Sequence, residues 1–183
     1  MLDACTLYPA PLRDLLIQIA STGLFRAKWT TDIHREWMDA VLAKRPDLQR
    51  AQLERTRDLM NSTVMDCLVS GYEPLVAIVS LPDLDDRHVL AAAIHARCDA
   101  IVTFNLKDFP STVLSQHNIE AIHPDDFLFH QFGLNQAGVI SAANAIRIRL
   151  KNPPVSSENY LATLREQSLP KTVAALRPFI TVI

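Results

Sequence analysis

The sequence predicts an α/β protein built on a parallel sheet, with a helical extension at its C-terminal end. Three observations carry that expectation. Short apolar runs alternate with helical patterns from the N-terminus to about residue 129. The strongest helical pattern, Asp86 to Arg97, leads straight into a β-branched run, Asp99 to Phe104. No strand pattern of comparable strength follows Pro124, and from about Gly133 onward only helical spacing is left.

Taken in order, Leu2 to Leu7 is a short apolar segment suited to a buried strand. Pro9 and Pro11 open a helix in which Leu12, Leu15, Leu16, Ile19 and Ala20 recur at helical spacing, with Gly23 as its stop. Thr30 or Thr31 caps the next helix, whose inward stripe is Ile33, Trp37, Ala40 and Val41. Pro46 breaks it, and the charged stretch Asp47 to Met60 reads as a solvent-facing helix. Leu75 to Leu81, ending at Pro82, looks like a second strand. Val89, Leu90, Ala93 and Ile94 stripe the next helix, where three consecutive alanines permit close packing on a sheet. Ile119 to Ile122 is a last, shorter strand. Helices follow over Ala137 to Leu150, Ser157 to Gln167 and Pro170 to Leu176. The expected division is a catalytic part over 1–132 and a helical extension over 133–183.

Composition bounds the class. The chain has 183 residues, 49% hydrophobic and 21% charged, with a formal net charge of −2. That is enough chain for a real core, and it excludes a mainly disordered, collagen-like or disulfide-stapled protein. No run approaches the roughly 18 uncharged apolar residues of a membrane span, and no basic flank precedes an apolar stretch at the N-terminus, so neither membrane nor secretion is expected. Cys5, Cys67 and Cys98 are widely spaced and form no CxxC pair, which suits a reducing cytoplasm. The near-neutral charge argues against broad electrostatic binding of nucleic acid while leaving room for a local basic rim.

The acids carry the chemistry. Asp3 lies within the first apolar segment, where an aspartate is costly unless paired or bound to a cation. Asp83, Asp85 and Asp86 follow an apolar run, and Asp108 follows Ile101–Phe104. In a parallel sheet the strand ends converge, and ligands bind there. Glu36 lies one step aside from the apolar stripe of its helix, with Asp32 and Asp39 at neighbouring helical positions. Carboxylates forced into one cleft repel, and divalent cations offset that repulsion. Oxygen ligands without soft partners select Mg²⁺ or Mn²⁺ over Zn²⁺. Each acid also has a plainer role: a helix cap for Asp83, Asp85 or Asp86, a hydrogen-bonded buried group for Asp3, a solvated helix residue for Glu36.

Four stretches in this order resemble the PIN-domain family: Leu2–Pro9, Trp29–Glu36, Leu81–Ala93 and Asp99–Phe109. They match in order and spacing over about residues 1–129. The resemblance implies a three-layer α/β/α fold with a parallel sheet of about five strands, frequently a homodimer. It implies an Mg²⁺- or Mn²⁺-dependent ribonuclease, and for many bacterial members a VapC-like toxin of a type II toxin–antitoxin pair, neutralised by a co-expressed antitoxin. Carried over by position, the family's acids fall on Asp3, Glu36 and Asp86. The fourth position falls on Asn105 or Asp108; Asp108 is favoured, with Asn105 and Thr103 as supporting polar groups. Cys5 stands where many relatives carry Asn. Arg13, Arg35, Arg87 and Lys107 lie beside the acids in sequence and are candidates for holding RNA phosphates. The alternative is a catalytically silent PIN-like scaffold for RNA or protein. A haloacid-dehalogenase-like phosphatase needs a second Asp two residues after the first, where this chain has Cys5.

Overall fold

The computed structural model describes all residues, 1–183, and contains eleven α-helices and two strands. In chain order these are α1 (Ala4–Leu7), α2 (Ala10–Ala20), α3 (Thr31–Lys44), α4 (Arg50–Thr63), α5 (Glu73–Val76) and α6 (Arg87–His95). Then come β1 (Ala100–Val102), α7 (Ser111–Leu114), β2 (Glu120–Ile122), α8 (Pro124–Leu134), α9 (Gln136–Arg149), α10 (Ser157–Glu166) and α11 (Pro170–Leu176). No helix is long and apolar enough to cross a membrane.

The chain forms two compact units. One comprises Met1–Tyr8 and Arg26–His123, the other Pro9–Phe25 and Pro124–Ile183. In the first unit β1 and β2 pair in parallel, Ala100 opposite Glu120 and Val102 opposite Ile122. Backbone hydrogen bonds extend the ladder on the far side of β1. Asp3 N–H donates to the Val102 carbonyl (3.1 Å) and Leu2 N–H to the Lys28 carbonyl (2.8 Å), while Trp29 and residues 67–69 exchange two more. Five extended segments therefore lie side by side in the order 67–69, 28–29, 1–3, 100–103, 120–122, and only two of them count as strands. The others are held by isolated bridges, such as Leu2 to Val102 and Trp29 to Leu68, both parallel.

Helices pack on this ladder through apolar stripes. In α3, Thr30 Oγ1 accepts from Ile33 N–H at 3.1 Å, capping the helix. Its buried stripe is Ile33, His34, Trp37 and Met38. Ile33 and Trp37 are fully buried, each stabilising the fold by about 2 kcal/mol or more through apolar burial. Ala40, expected inside, is exposed. In α6 the consecutive Ala91, Ala92 and Ala93 are fully buried, which their small side chains allow. The helix stops at Arg97, which takes a left-handed φ of 52°.

Two expected strands differ in the structure. Leu2 to Leu7 is extended only at its start, because Asp3 caps α1 and turns the chain at once. Leu75 to Leu81 is not a strand; Pro74 in the first turn favours the helical α5, and Ile78 is left 75% exposed.

The second unit is wholly helical. Its α2 packs on α9 and α10, and α8 packs on α9 and α11. Leu12, Leu15 and Leu16 of α2 are fully buried, as are Leu161, Leu164 and Leu176 of the C-terminal helices. Phe25 and Phe127 meet edge to face at 4.8 Å.

Candidate active site

The acids reach one cleft from three elements: Asp3 from the end of the first ladder segment, Glu36 from within α3 and Asp86 from the start of α6. Asp3 ends the first segment and caps α1; its Oδ1 accepts from Ala4 N–H at 2.6 Å. Its Oδ2 accepts from Thr103 Oγ1 at 2.7 Å and from Cys5 Sγ at 3.0 Å. At 4% exposure this carboxylate is buried and satisfied by three donors, which fix its orientation. The plainer role foreseen for Asp3, a hydrogen-bonded buried group, is thus met alongside its place in the cleft.

Thr103, just past β1, is fully buried and also accepts from Asn105 N–H at 3.0 Å. It thereby ties the Asn105 loop to Asp3. Cys5 Sγ accepts from Phe104 N–H at 3.3 Å. Burial first, and then the charge of Asp3, push its thiol up to about 12, so it serves as a neutral donor and not a nucleophile.

Asp86 occupies the cap position of α6, yet its side chain caps nothing. Half-buried, it is pushed up to about 7, by desolvation and then by the negative charges of Asp3, Asp83 and Asp108. Asp83 does the local work instead, accepting from Asp85 N–H at 2.9 Å. Glu36, on α3, is held by His88 of α6, Nε2 to Oε1 at 2.8 Å. Burial disfavours the His88 charge, but the hydrogen bond and charge of Glu36, with the charges of Asp32 and Asp3, outweigh it and raise the imidazole pKa. His88 Nδ1 is buried with no hydrogen-bond partner.

A cavity of about 570 Å³ joins these groups; Asp3, Glu36, Asp86 and Asn105 line it, with Ala4, Cys5, Tyr8, Trp37, Ala40, Ala43 and Lys44. Asp108 is not among its walls, although its charge acts on Asp86. It stands in a short 3-10 turn, Leu106–Asp108. The other acids of α3 are engaged elsewhere. Asp32 accepts from the Tyr72 hydroxyl and pairs with Arg35, and Asp39 pairs with Arg50.

None of the four cations singled out from sequence lines the cavity; Lys44 does. Arg13 belongs to the second unit and is 8% exposed, Arg35 pairs with Asp32 at 2.6 Å, and Arg87 Nε donates to the Leu84 carbonyl at 3.1 Å. Lys107 is exposed. Lys44 was legible as the position two helical turns beyond Glu36, on the same face.

The donor set suits a hard divalent cation in kind: oxygen ligands whose mutual repulsion already registers at Asp86. As the side chains stand, no three His, Cys, Asp or Glu groups converge as a metal cage does, and Glu36 is turned to His88. A cation would draw on acids that are gathered but not yet closed around one point.

Comparison with known proteins accords with this geometry. A PIN domain family model matches residues 1–107, and a model described as VapC50 C-terminal domain matches residues 124–178. The chain is 38% identical over 107 residues to a Mycobacterium tuberculosis protein named "Putative ribonuclease VapC50". That match spans 58% of this chain and 62% of the relative. No solved structure matches the chain. With more than half its length matched by the PIN domain model, and the acids of Asp3, Glu36 and Asp86 in one cleft, the chain belongs to the PIN domain family.

Proposed function

We propose that the protein is an Mg²⁺- or Mn²⁺-dependent endoribonuclease that hydrolyses RNA phosphodiester bonds, and that it acts as the toxin of a VapBC-like type II toxin–antitoxin pair. The single observation that carries the reading is that Asp3, Glu36 and Asp86, from three different elements, line one cleft open to solvent, where burial and acidic neighbours push the Asp86 carboxyl up. Perturbed acids of this kind concentrate at functional sites. The ribonuclease name of the mycobacterial relative supports the same class.

In this reading Asp3, Glu36, Asp86 and Asp108 hold the metal, with Asn105 and Thr103 supporting. Bound there, a divalent cation supplies positive charge against the acids and Lewis acidity toward the phosphodiester. Asp3 is the fixed member, locked by donors from Ala4, Cys5 and Thr103. Glu36 is the adjustable member, since its present partner is a single imidazole and its side chain is 40% exposed. Asp86 is the opposed member, its charge disfavoured by burial and by Asp3, Asp83 and Asp108 until a cation offsets it. Water attacks phosphorus, the bond from phosphorus to one ribose oxygen breaks, and that oxygen leaves as an alcohol with a proton from solvent, without a covalent intermediate on the chain.

The reading also takes the five extended segments as a family-type five-stranded sheet. It divides the chain into a nuclease part over 1–132 and an extension over 133–183. Arg13, Arg35, Arg87 and Lys107 are proposed phosphate contacts, and the protein is placed in the cytoplasm with an antitoxin partner and a second copy as partners.

One observation favours a second reading, a catalytically silent scaffold: Glu36 is paired with His88 and no three acids converge. Purified wild-type protein, Asp3→Asn and Asp86→Asn separate the two. The nuclease reading predicts Mn²⁺-dependent cleavage of RNA by the wild type, reduced at least about 100-fold in either variant. RNA binding without metal-dependent turnover in any form supports the scaffold.

A further inference from the structure

The cavity that holds the acids continues past them along α3, and that half has no part in the metal chemistry. Ala40, Ala43 and Lys44 follow Glu36 at spacings of four, seven and eight residues, so all four share one helix face. At about 1.5 Å per residue, Lys44 lies about 12 Å beyond Glu36 along the axis. Trp37, fully buried, closes the floor between them. Tyr8, at the end of α1, brings an aromatic ring to the same cavity and is 36% exposed.

The cavity is therefore anionic at one end, apolar in the middle and cationic at the other. Ala40 and Ala43 are exposed on a helix otherwise rich in charged surface residues, among them Arg35 and Asp39. Their methyl groups are all that α3 places in that stretch of the cavity, which Tyr8 also lines. A flat π-face followed by a phosphate is what such a slot accommodates, and a nucleotide of a single strand has both.

We propose that this slot is a nucleotide subsite. The base of one unpaired ribonucleotide beside the scissile phosphate stacks on Tyr8 over the Ala40–Ala43 wall, and Lys44 holds a neighbouring phosphate. Inside a duplex both faces of a base are covered by its stacked neighbours, so only an unstacked base has a face to offer Tyr8. The inference rests on the ribonuclease reading and deepens it.

The test uses the full-length chain carrying Asp86→Asn, so that RNA is not cut, and a short single-stranded RNA with one 2-aminopurine. With the slot intact, binding in Mg²⁺ quenches the 2-aminopurine by stacking. Tyr8→Leu abolishes the quench and weakens binding about tenfold, and Tyr8→Phe restores both. Ala43→Leu, at an exposed position that disturbs no core, blocks the slot and has the same effect as Tyr8→Leu. Lys44→Ala weakens binding to all sequences alike and lowers the salt slope by about one. The same RNA annealed to its complement shows no quench.

Equal quenching and affinity for Tyr8→Leu, Ala43→Leu and Tyr8→Phe overturns the subsite, as does equal binding of the annealed RNA. Failure of the underlying reading is distinguishable. If the protein without Asp86→Asn shows no metal-dependent cleavage while the quench responds to Tyr8 as stated, the subsite stands and the nuclease does not.

Discussion

Asp86 and Asp125 are both acids at the start of a helical segment, and their surroundings could hardly differ more. Asp125, in the helical second unit, is 3% exposed, and its carboxylate accepts from Lys171 N–H, Thr172 N–H and Thr172 Oγ1, each at 2.8 Å. It ties the start of α11 to α8, so its charge is spent on backbone and hydroxyl donors of its own unit. Asp86 caps no helix, and its proton affinity is raised by burial and by three other aspartates. Burial alone does not mark a functional acid. What separates the two is whether the fold supplies donors that satisfy the charge or neighbours that oppose it.

The comparison breaks most visibly on substitution. Asp125→Ala leaves two N–H groups and a hydroxyl without their acceptor, so the loss should be about 3 kcal/mol in denaturant unfolding. RNA cleavage per folded molecule should survive. Asp86→Asn should do the reverse, leaving stability undiminished while cleavage collapses. If both variants lost stability equally, the distinction between a satisfied and an opposed acid would fail.

Added metal should sharpen the contrast. Mn²⁺ binds the folded cleft only, so at about 100 times Kd it stabilises by about 2.7 kcal/mol. The shift in melting temperature should appear in the wild type and in Asp125→Ala, and shrink in Asp86→Asn. Equal shifts in all three would place the metal elsewhere.

Smaller still is the pH effect in metal-free protein. The folded-state pKa of Asp86, about 7, lies above the unfolded value near 3.8, so the folded state binds the proton more tightly. The full benefit is present below pH 4, is lost as pH rises from about 4 to 7, and stays lost above. Relative to Asp86→Asn, the wild type should therefore lose stability across that window, by about 1 kcal/mol once solvent screening of a half-buried group is allowed for. A difference constant from pH 4 to 8 would contradict the raised pKa.

Much of this was legible in the chain itself, and the exceptions have physical causes. Long periodic segments such as α3, α6 and α9 announce themselves, since a buried stripe at helical spacing has few other uses. The acids at Asp3, Glu36 and Asp86 stand out because each sits beside an apolar stretch. Leu75 to Leu81 misleads because an apolar run of seven residues has no period that tells strand from turn. The segments at 28–29 and 67–69 leave no period-2 signal, being held by a few long-range backbone hydrogen bonds. That α2 packs with the C-terminal helices is likewise invisible, because its apolar stripe does not name its partner. Nor does sequence reveal that Thr103 and Cys5 meet over the Asp3 carboxylate, a contact between residues about a hundred positions apart. Lys44 was missed for another reason: its role comes from facing a cavity, and adjacency to acids in sequence pointed to other cations.

The central claim is that the opposed carboxyl of Asp86 sits in a cleft built to receive a cation. Carbon-13 NMR of the side-chain carboxyls, followed through a pH titration with and without Mg²⁺, tests it most directly. The account predicts that Asp86 titrates near 7 in metal-free protein and at least two units lower in saturating Mg²⁺, while Asp125 does not respond to the metal. An Asp86 that titrates near 4 without metal, or whose midpoint Mg²⁺ leaves in place, would contradict it.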